Sequence, residues 1–374
     1  MMQRSLISFG SFLFVLLSSL LCFSGLIYYN NAVYKEVTAK AQFAPKLPPV
    51  RGNTNIPVYH SFGAFSVNTP TEALAAASDG IHYSIHYGAP HSATSPQGLA
   101  LQKVGIKEYS SRINDFMVDY ECHKALRNGH TEYCDKEPVS QMTSETAVLN
   151  GVKAYLQEVQ KDPLIVGHWV LDDWPKWDYG SAKQMLVAIH QLIRQYTPQL
   201  PAICGFGAGF GLQGTIDWNP SLAANFSPQA CDEVGLYIYA DPPDSSTNPP
   251  NTDDYDWSMS KLLPRIASSL QAQGWDSRKA PWIGIVQAFG GKRTQSPNKV
   301  DVTPSAKNMT TQALSFCKAG AKDVFWYSFD NASEYTLDTV QTPMNSASIK
   351  AGIKSGMAAC KAWWSSTAHG SLHR

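Results

Sequence analysis

The stretch Leu164–Pro175, LIVGHWVLDDWP, decides how the rest of the chain is read. It opens as an apolar strand and closes on two adjacent acids, Asp172 and Asp173, between Trp169 and Trp174. Acids at the end of a hydrophobic run make sense where a strand delivers its last side chains to a functional face. The reading therefore turns on whether the chain holds more strands of the same kind.

Working outward, the chain repeats one unit: a short apolar run, a polar loop, then a helical pattern. Before this stretch the candidate strands are VYHSFGAFSV (58–67), IHYSIHYG (81–88) and IKEYSS (106–111), with FMVDY (116–120) as an alternative third strand. After it come PAICGFGAG (201–209), EVGLYIYAD (233–241), WIGIVQAFG (282–290) and DVFWYSFD (323–330). The stretches SETAVLNGVKAYLQEVQ, SAKQMLVAIHQLIRQY, MSKLLPRIASSLQAQG and NMTTQALSFCKAGA place apolar residues at three- and four-residue steps, as helices do. Eight strands alternating with helices predict an α/β fold, a closed (β/α)8 TIM barrel over residues 57–366 with a tail at 367–374. A flat doubly wound sheet uses fewer strands and carries a Gly-rich phosphate turn, which is missing.

A barrel of this kind places function at the C-terminal strand ends. Those ends read His86-Tyr87-Gly88, Asp119-Tyr120-Glu121, Asp172-Asp173-Trp174, Tyr239-Ala240-Asp241, Gln287-Ala288-Phe289 and Ser328-Phe329-Asp330. Alternation along a strand sends successive side chains to opposite faces. In YIYAD it groups Tyr237, Tyr239 and Asp241 toward the mouth, away from Leu236 and Ile238. The same reasoning groups Trp326, Ser328 and Asp330 on strand eight, and His82, Ser84 and His86 on strand two. Parity points Asp172 inward if His168 lines the interior. Carboxylates, Tyr, Gln and ring faces suit a sugar, whose hydroxyls need polar partners and whose apolar faces need aromatic platforms. The candidate catalytic residues are Asp172, Asp173, Asp241 and Asp330; the candidate substrate-binding residues are His86, Glu121, Trp174, Tyr239, Gln287 and Trp326.

The barrel, the acid ending strand four and the WYSF ending of strand eight resemble the glycoside hydrolase-like TIM barrels. In many of those, strand four runs into Asn-Glu or Asp-Glu, often followed by Pro. Here the matching string is WVLDDWP, with Asp173 at the first position and Trp174 where the acid/base Glu would stand. LYIYAD is similar to the Tyr-Asp pairing of chitinase-like barrels, without their DxxDxDxE motif. The strand-seven slot that carries a nucleophilic Glu in the retaining enzymes holds Gln287. The resemblance covers most of residues 57–365 as architecture, and it implies glycoside chemistry with no cofactor. It points Asp173 inward, against the parity argument for Asp172.

Hydrolysis of a glycoside uses two carboxyl groups, ~5–5.5 Å apart for retention and ~6.5–9.5 Å for inversion. Asp172 or Asp173 would serve as general acid, its proton held by burial among tryptophans and by its like-charged neighbour. Asp241 or Asp330 would then orient or deprotonate water. Plainer roles compete. The two adjacent acids could cap the following helix, Asp330 could be a turn residue, and His82 and His86 could be interior histidines. No convergent His and carboxylate set suggests a metal site. Three functions stay open: a carbohydrate-active hydrolase, a non-catalytic saccharide-binding barrel, and a surface barrel with a protein partner or a structural role.

The address comes from the ends and the cysteines. Residues 5–34 carry no charged side chain, and a span of ~20 apolar residues suffices to cross a bilayer. Residues 1–34 are expected to be a membrane anchor, or a signal segment if cleaved, followed by a Pro-containing linker at 35–56. Outside the span, Cys122, Cys134, Cys204, Cys231, Cys317 and Cys360 make six, an even set with no CxxC spacing. Neighbour pairing gives Cys122–Cys134, Cys204–Cys231 and Cys317–Cys360, in an oxidising compartment outside the cytoplasm. Lys+Arg and Asp+Glu both count 30, so the chain lacks the basic excess that a nucleic-acid partner requires. The expected partners are an oligo- or polysaccharide and the membrane; the oligomeric state is left open.

Overall fold

The structure is a computed structural model, and it describes residues 60–127, 142–172, 182–207, 209–210, 216–217, 220–239, 262–294, 300–329 and 336–370. The expected anchor and linker, Asp173, Trp174, Asp241, Asp330 and Cys134 lie outside the described residues. Among the described residues, no helix is long and apolar enough to cross a membrane.

Eight strands form the barrel: β1 Phe62–Phe65, β2 Tyr83–His86, β3 Lys107–Ser110, β4 Ile165–Leu171, β5 Ala202–Gly207, β6 Glu233–Tyr237, β7 Trp282–Gln287 and β8 Asp323–Tyr327. Each pairs in parallel with the next in sequence, and β8 pairs with β1 to close the ring. This is the (β/α)8 architecture the alternating pattern predicts.

Helices α1 Pro70–Ser78, α2 Pro96–Val104, α3 Arg112–Arg127, α4 Glu145–Val159, α5 Ala182–Tyr196, α6 Leu263–Ala272, α7 Ala306–Lys318 and α8 Ala347–Gly370 alternate with the strands. Two of them, α3 and α4, follow β3. Between β5 and β6, the helical structure among the described residues is a short 3-10 turn, Pro220–Asn225. Local chemistry starts several helices. Thr69 and Glu72 form a reciprocal capping box ahead of α1, and Ser95, Ser144 and Ser305 each accept a first-turn N–H. Pro70 and Pro96 occupy first-turn positions where no N–H is needed.

The core has two layers. Outward-facing strand residues such as Phe62, Val170, Leu236, Val286 and Trp326 pack against the helices. The barrel interior holds Phe65, Ile85, Tyr109, Trp169, Ile203, Tyr237, Ile283, Ile285 and Phe325. Bulky rings fit there because glycines stand opposite them. A Cβ on Gly235 would lie 2.4 Å from Trp169, and one on Gly167 would lie 2.6 Å from Tyr109. Disulfides Cys204–Cys231 and Cys317–Cys360 tie β5 to the approach of β6, and α7 to α8.

Three expectations are corrected here. FMVDY is not a strand: it lies in α3, where Ile113, Phe116, Met117 and Tyr120 recur at helical spacing against the core. Glu121 is therefore a helical residue, 3.7 Å from Lys124, and stands at no strand end. Trp326 faces the helix layer, beside Phe62 and Gly356, because the parity of β8 is the reverse of that expected. On β2 the interior set is Tyr83, Ile85 and Tyr87, so Ser84 and His86 point outward. On β8 both faces are apolar or aromatic, so alternation offers little contrast, whereas on β2 the polar set faces the helices and the aromatic set fills the interior.

Candidate active site at the barrel mouth

The mouth is built from strand ends. On β4 the interior residue is Trp169, while His168 is fully buried on the outer side. Regular alternation would then send Leu171 inward. Instead the register of β4 against β5 shifts between Trp169 and Leu171, and both Val170 and Leu171 join the outer layer. The extra residue of this bulge turns the next side chain, Asp172, inward. Asp172 thus reaches the interior although the premise that His168 lines it does not hold.

Its carboxylate is tightly held. Tyr237 of β6 donates its O–H to Asp172 Oδ1 at 2.5 Å, and Trp169 Nε1–H donates to the same oxygen at 3.2 Å. The backbone N–H of Asp172 donates to Asn114 Oδ1 at 3.0 Å, so the first turn of α3 fixes the strand end. Two donors aimed at one carboxylate oxygen fix the orientation of the group.

Around it runs a continuous set of rings. Phe65 lies 5.6 Å from Tyr237 and 5.1 Å from Tyr327 between centroids, and 5.8 Å from Tyr87. Tyr239 lies 5.3 Å from Phe289 and 5.9 Å from Tyr327. Tyr237 and Tyr239 face inward and Leu236 and Ile238 outward, as the alternation in YIYAD predicts. At the end of β1, Ser66 adopts a left-handed φ of 61°, a conformation uncommon outside glycine that recurs at functional sites. The Tyr327–Ser328 peptide at the end of β8 is cis.

Gln287 ends β7 on the interior parity of Ile283 and Ile285, paired in register with Tyr327. It is 1% exposed. Its amide Nε2 donates to the carbonyls of Phe289 at 3.3 Å and Val302 at 3.2 Å, while Oε1 is buried without a hydrogen-bond partner among the described residues.

His86 belongs to a separate group. Its Nδ1 lies 3.0 Å from Asn68 Oδ1 and its ring 4.0 Å from that of His91. His91 Nδ1 meets the buried carboxylate of Glu108 at 2.7 Å. Burial, then the neighbouring His91, pushes the His86 pKa down to about 4, and burial raises that of Glu108. Among the described residues, no group of three or more His, Cys, Asp or Glu is placed to hold a metal ion.

Of the candidate residues, the structure therefore brings together Asp172, Tyr239 and Gln287 at the mouth. It sets Glu121, His86 and Trp326 apart. Tyr237, Tyr87, Tyr327, Phe289 and Asn114 join the site without having been singled out. Tyr237 carried a signal in the sequence through its shared parity with Tyr239, and Tyr87 and Phe289 through their place at strand ends.

No family profile matches the sequence, and no curated protein sequence matches it. Solved structures do match. A β-galactosidase from the psychrophilic Marinomonas ef1 superposes with a TM-score of 0.50 at 9% identity, over 83% of this chain and 60% of its own. An endo-1,4-β-mannanase from Rhizomucor miehei superposes with a TM-score of 0.54 at 12% identity, over 81% of this chain and 95% of its own. At such identities the likeness is one of fold. The closed eight-stranded parallel barrel defines the chain as a (β/α)8 TIM barrel, a fold it shares with these glycoside hydrolases.

Proposed function

We propose that this barrel is a carbohydrate-active hydrolase acting outside the cytoplasm on an oligo- or polysaccharide. The observation that carries the reading is the Asp172 carboxylate, held by Tyr237 and Trp169 within a mouth lined by aromatic rings. Asp172 transfers a proton at the glycosidic oxygen, and Tyr237 and Trp169 fix its orientation. Rings of Tyr239 and Tyr327 offer faces to the sugar, backed by the buried Phe289. The second carboxylate is Asp241 or Asp330, which follow the ends of β6 (Tyr237) and β8 (Tyr327) within the next few residues of the sequence. Two disulfides support an oxidising compartment, and the charge-free segment at residues 5–34 supplies the membrane anchor or signal.

A second reading, a barrel that binds saccharide without cleaving it, is favoured by Gln287, an amide where a retaining enzyme carries its nucleophile. Turnover of a panel of aryl glycosides and polysaccharides by the wild-type protein and by Asp172→Asn separates the two. Turnover that survives Asp172→Asn removes Asp172 from the chemistry. Saturable binding without turnover across the panel selects the second reading.

A further inference from the structure

A second cluster stands at the end of β2, beside the mouth. Tyr87 turns into the ring set, while His86 points outward and is covered by His91, from the loop ahead of α2. The two imidazoles lie 4.0 Å apart between centroids, with their planes 39° from parallel. Both oxygens of Glu108 serve His91: Oε2 meets its Nδ1 at 2.7 Å, and Oε1 accepts its backbone N–H at 3.2 Å. The Glu108 side chain is fully buried, a costly way to steady a loop that any neutral acceptor would hold. Facing a carboxylate, Nδ1 of His91 is a donor; facing Asn68 Oδ1 at 3.0 Å, so is Nδ1 of His86. A neutral ring that donates from Nδ1 carries its lone pair at Nε2. Neither Nε2 has a hydrogen-bond partner among the described residues, and neither belongs to their buried unpartnered atoms, so both open to solvent. Burial, then His91, pushes the His86 pKa down to about 4 against a smaller pull from the Ala89 carbonyl, which leaves that ring neutral at pH 7.

Two adjacent imidazoles with their lone pairs on the open nitrogens form a chelate for an ion that prefers imidazole. Such ions bond the ring nitrogen at ~2.0–2.1 Å. At that length, rings set at a right angle about the ion have centroids ~4.5 Å apart, and rings at the tetrahedral angle ~5.2 Å apart. The 4.0 Å found here is nearer the right angle, the tetragonal geometry of divalent copper. We propose that His86 and His91 chelate a divalent copper ion through their Nε2 atoms, with water in the remaining positions. Glu108 is a positioning residue: it fixes the His91 ring and raises the basicity of its Nε2. Two protein ligands suffice for such a site, fewer than the three-residue groups missing among the described residues. The bound ion ties the loop ahead of α2 to the end of β2, next to the Tyr87 ring. The proposal stands without the hydrolase reading, because neither histidine takes part in the proton transfer assigned to Asp172.

Titration of the untagged full chain with Cu2+ at pH 7, followed by electron paramagnetic resonance, tests it. The wild-type protein is expected to bind one ion with the hyperfine pattern of two imidazole nitrogens, and to hold Cu2+ more tightly than Zn2+. His86→Gln and His91→Gln should each abolish the two-nitrogen pattern. His91 sits in a loop with Nε2 in solvent, so His91→Gln is expected to keep the metal-free melting temperature, which separates lost binding from lost folding. Glu108→Gln should keep both nitrogens and bind about tenfold more weakly, a change that a purely structural role would not produce. A two-nitrogen spectrum that survives His91→Gln places the ion on other histidines and overturns the proposal. So does a wild-type spectrum with a single nitrogen. Equal Cu2+ affinity in Glu108→Gln overturns the role given to Glu108.

Discussion

Asp172 gathers its partners from three separate segments: Trp169 three residues back, Asn114 at the start of α3 and Tyr237 on β6. Asp172→Asn is expected to lower kcat/KM on a cleaved glycoside by about 10²–10⁴-fold. Tyr237→Phe, which removes only the hydroxyl, should cost about tenfold through a misaligned carboxyl, measurable in the same assay. His168 supplies a second prediction at this scale. It accepts from Tyr155 O–H at Nδ1 and donates from Nε2 to Thr197 Oγ1, both at 3.1 Å, because the Thr197 hydroxyl already donates to the Ile193 carbonyl. Burial pushes its pKa down to about 3. As pH falls below about 6.5 the unfolded chain takes up a proton that the native protein refuses, so this group contributes less stability in acid. Between pH 7 and 4.5 the loss is roughly 2–3 kcal/mol for this residue. Urea unfolding at the two pH values should show the gap between wild type and His168→Gln shrinking by that amount.

Elements were legible where their signals are local. The helices read from three- and four-residue spacing, α4, α5, α6 and α7, form where expected. So does the strand IKEYSS. The shorter α1 and α2 escaped notice because PTEALAAAS and PQGLALQKV are small-residue helices whose capping, more than their apolar stripe, marks them. FMVDY was ambiguous because a short apolar run fits both periods. Covalent ties at this scale are also testable. The Cys204–Cys231 bridge closes a span of 27 residues between neighbouring strands. Replacing both by alanine is expected to cost about 2–4 kcal/mol, read from denaturant unfolding, and a change below about 0.5 kcal/mol would mean the bridge constrains nothing.

For the whole molecule, closure decides which faces meet. Trp169, Tyr109, Tyr237 and Phe325 converge inside the barrel only because Gly235, Gly167 and Gly63 leave them room. Gly235→Ala would force a methyl group into the indole of Trp169 and is expected to cost about 1–3 kcal/mol. The altered Trp169 packing would also disturb Asp172, so a lower melting temperature should accompany loss of turnover. The sequence by itself determined the strand count, their parallel order, two disulfide pairings and the acid at the end of β4, because periodicity, composition and spacing are properties of short segments. Only the tertiary structure decided which side chains enter the mouth. A bulge turned Asp172 inward, and the parities of β2 and β8 reversed what alternation suggested for His86 and Trp326. The physical reason is that a barrel strand is buried on both faces, so its two sides are told apart by ring closure and packing and not by hydrophobicity.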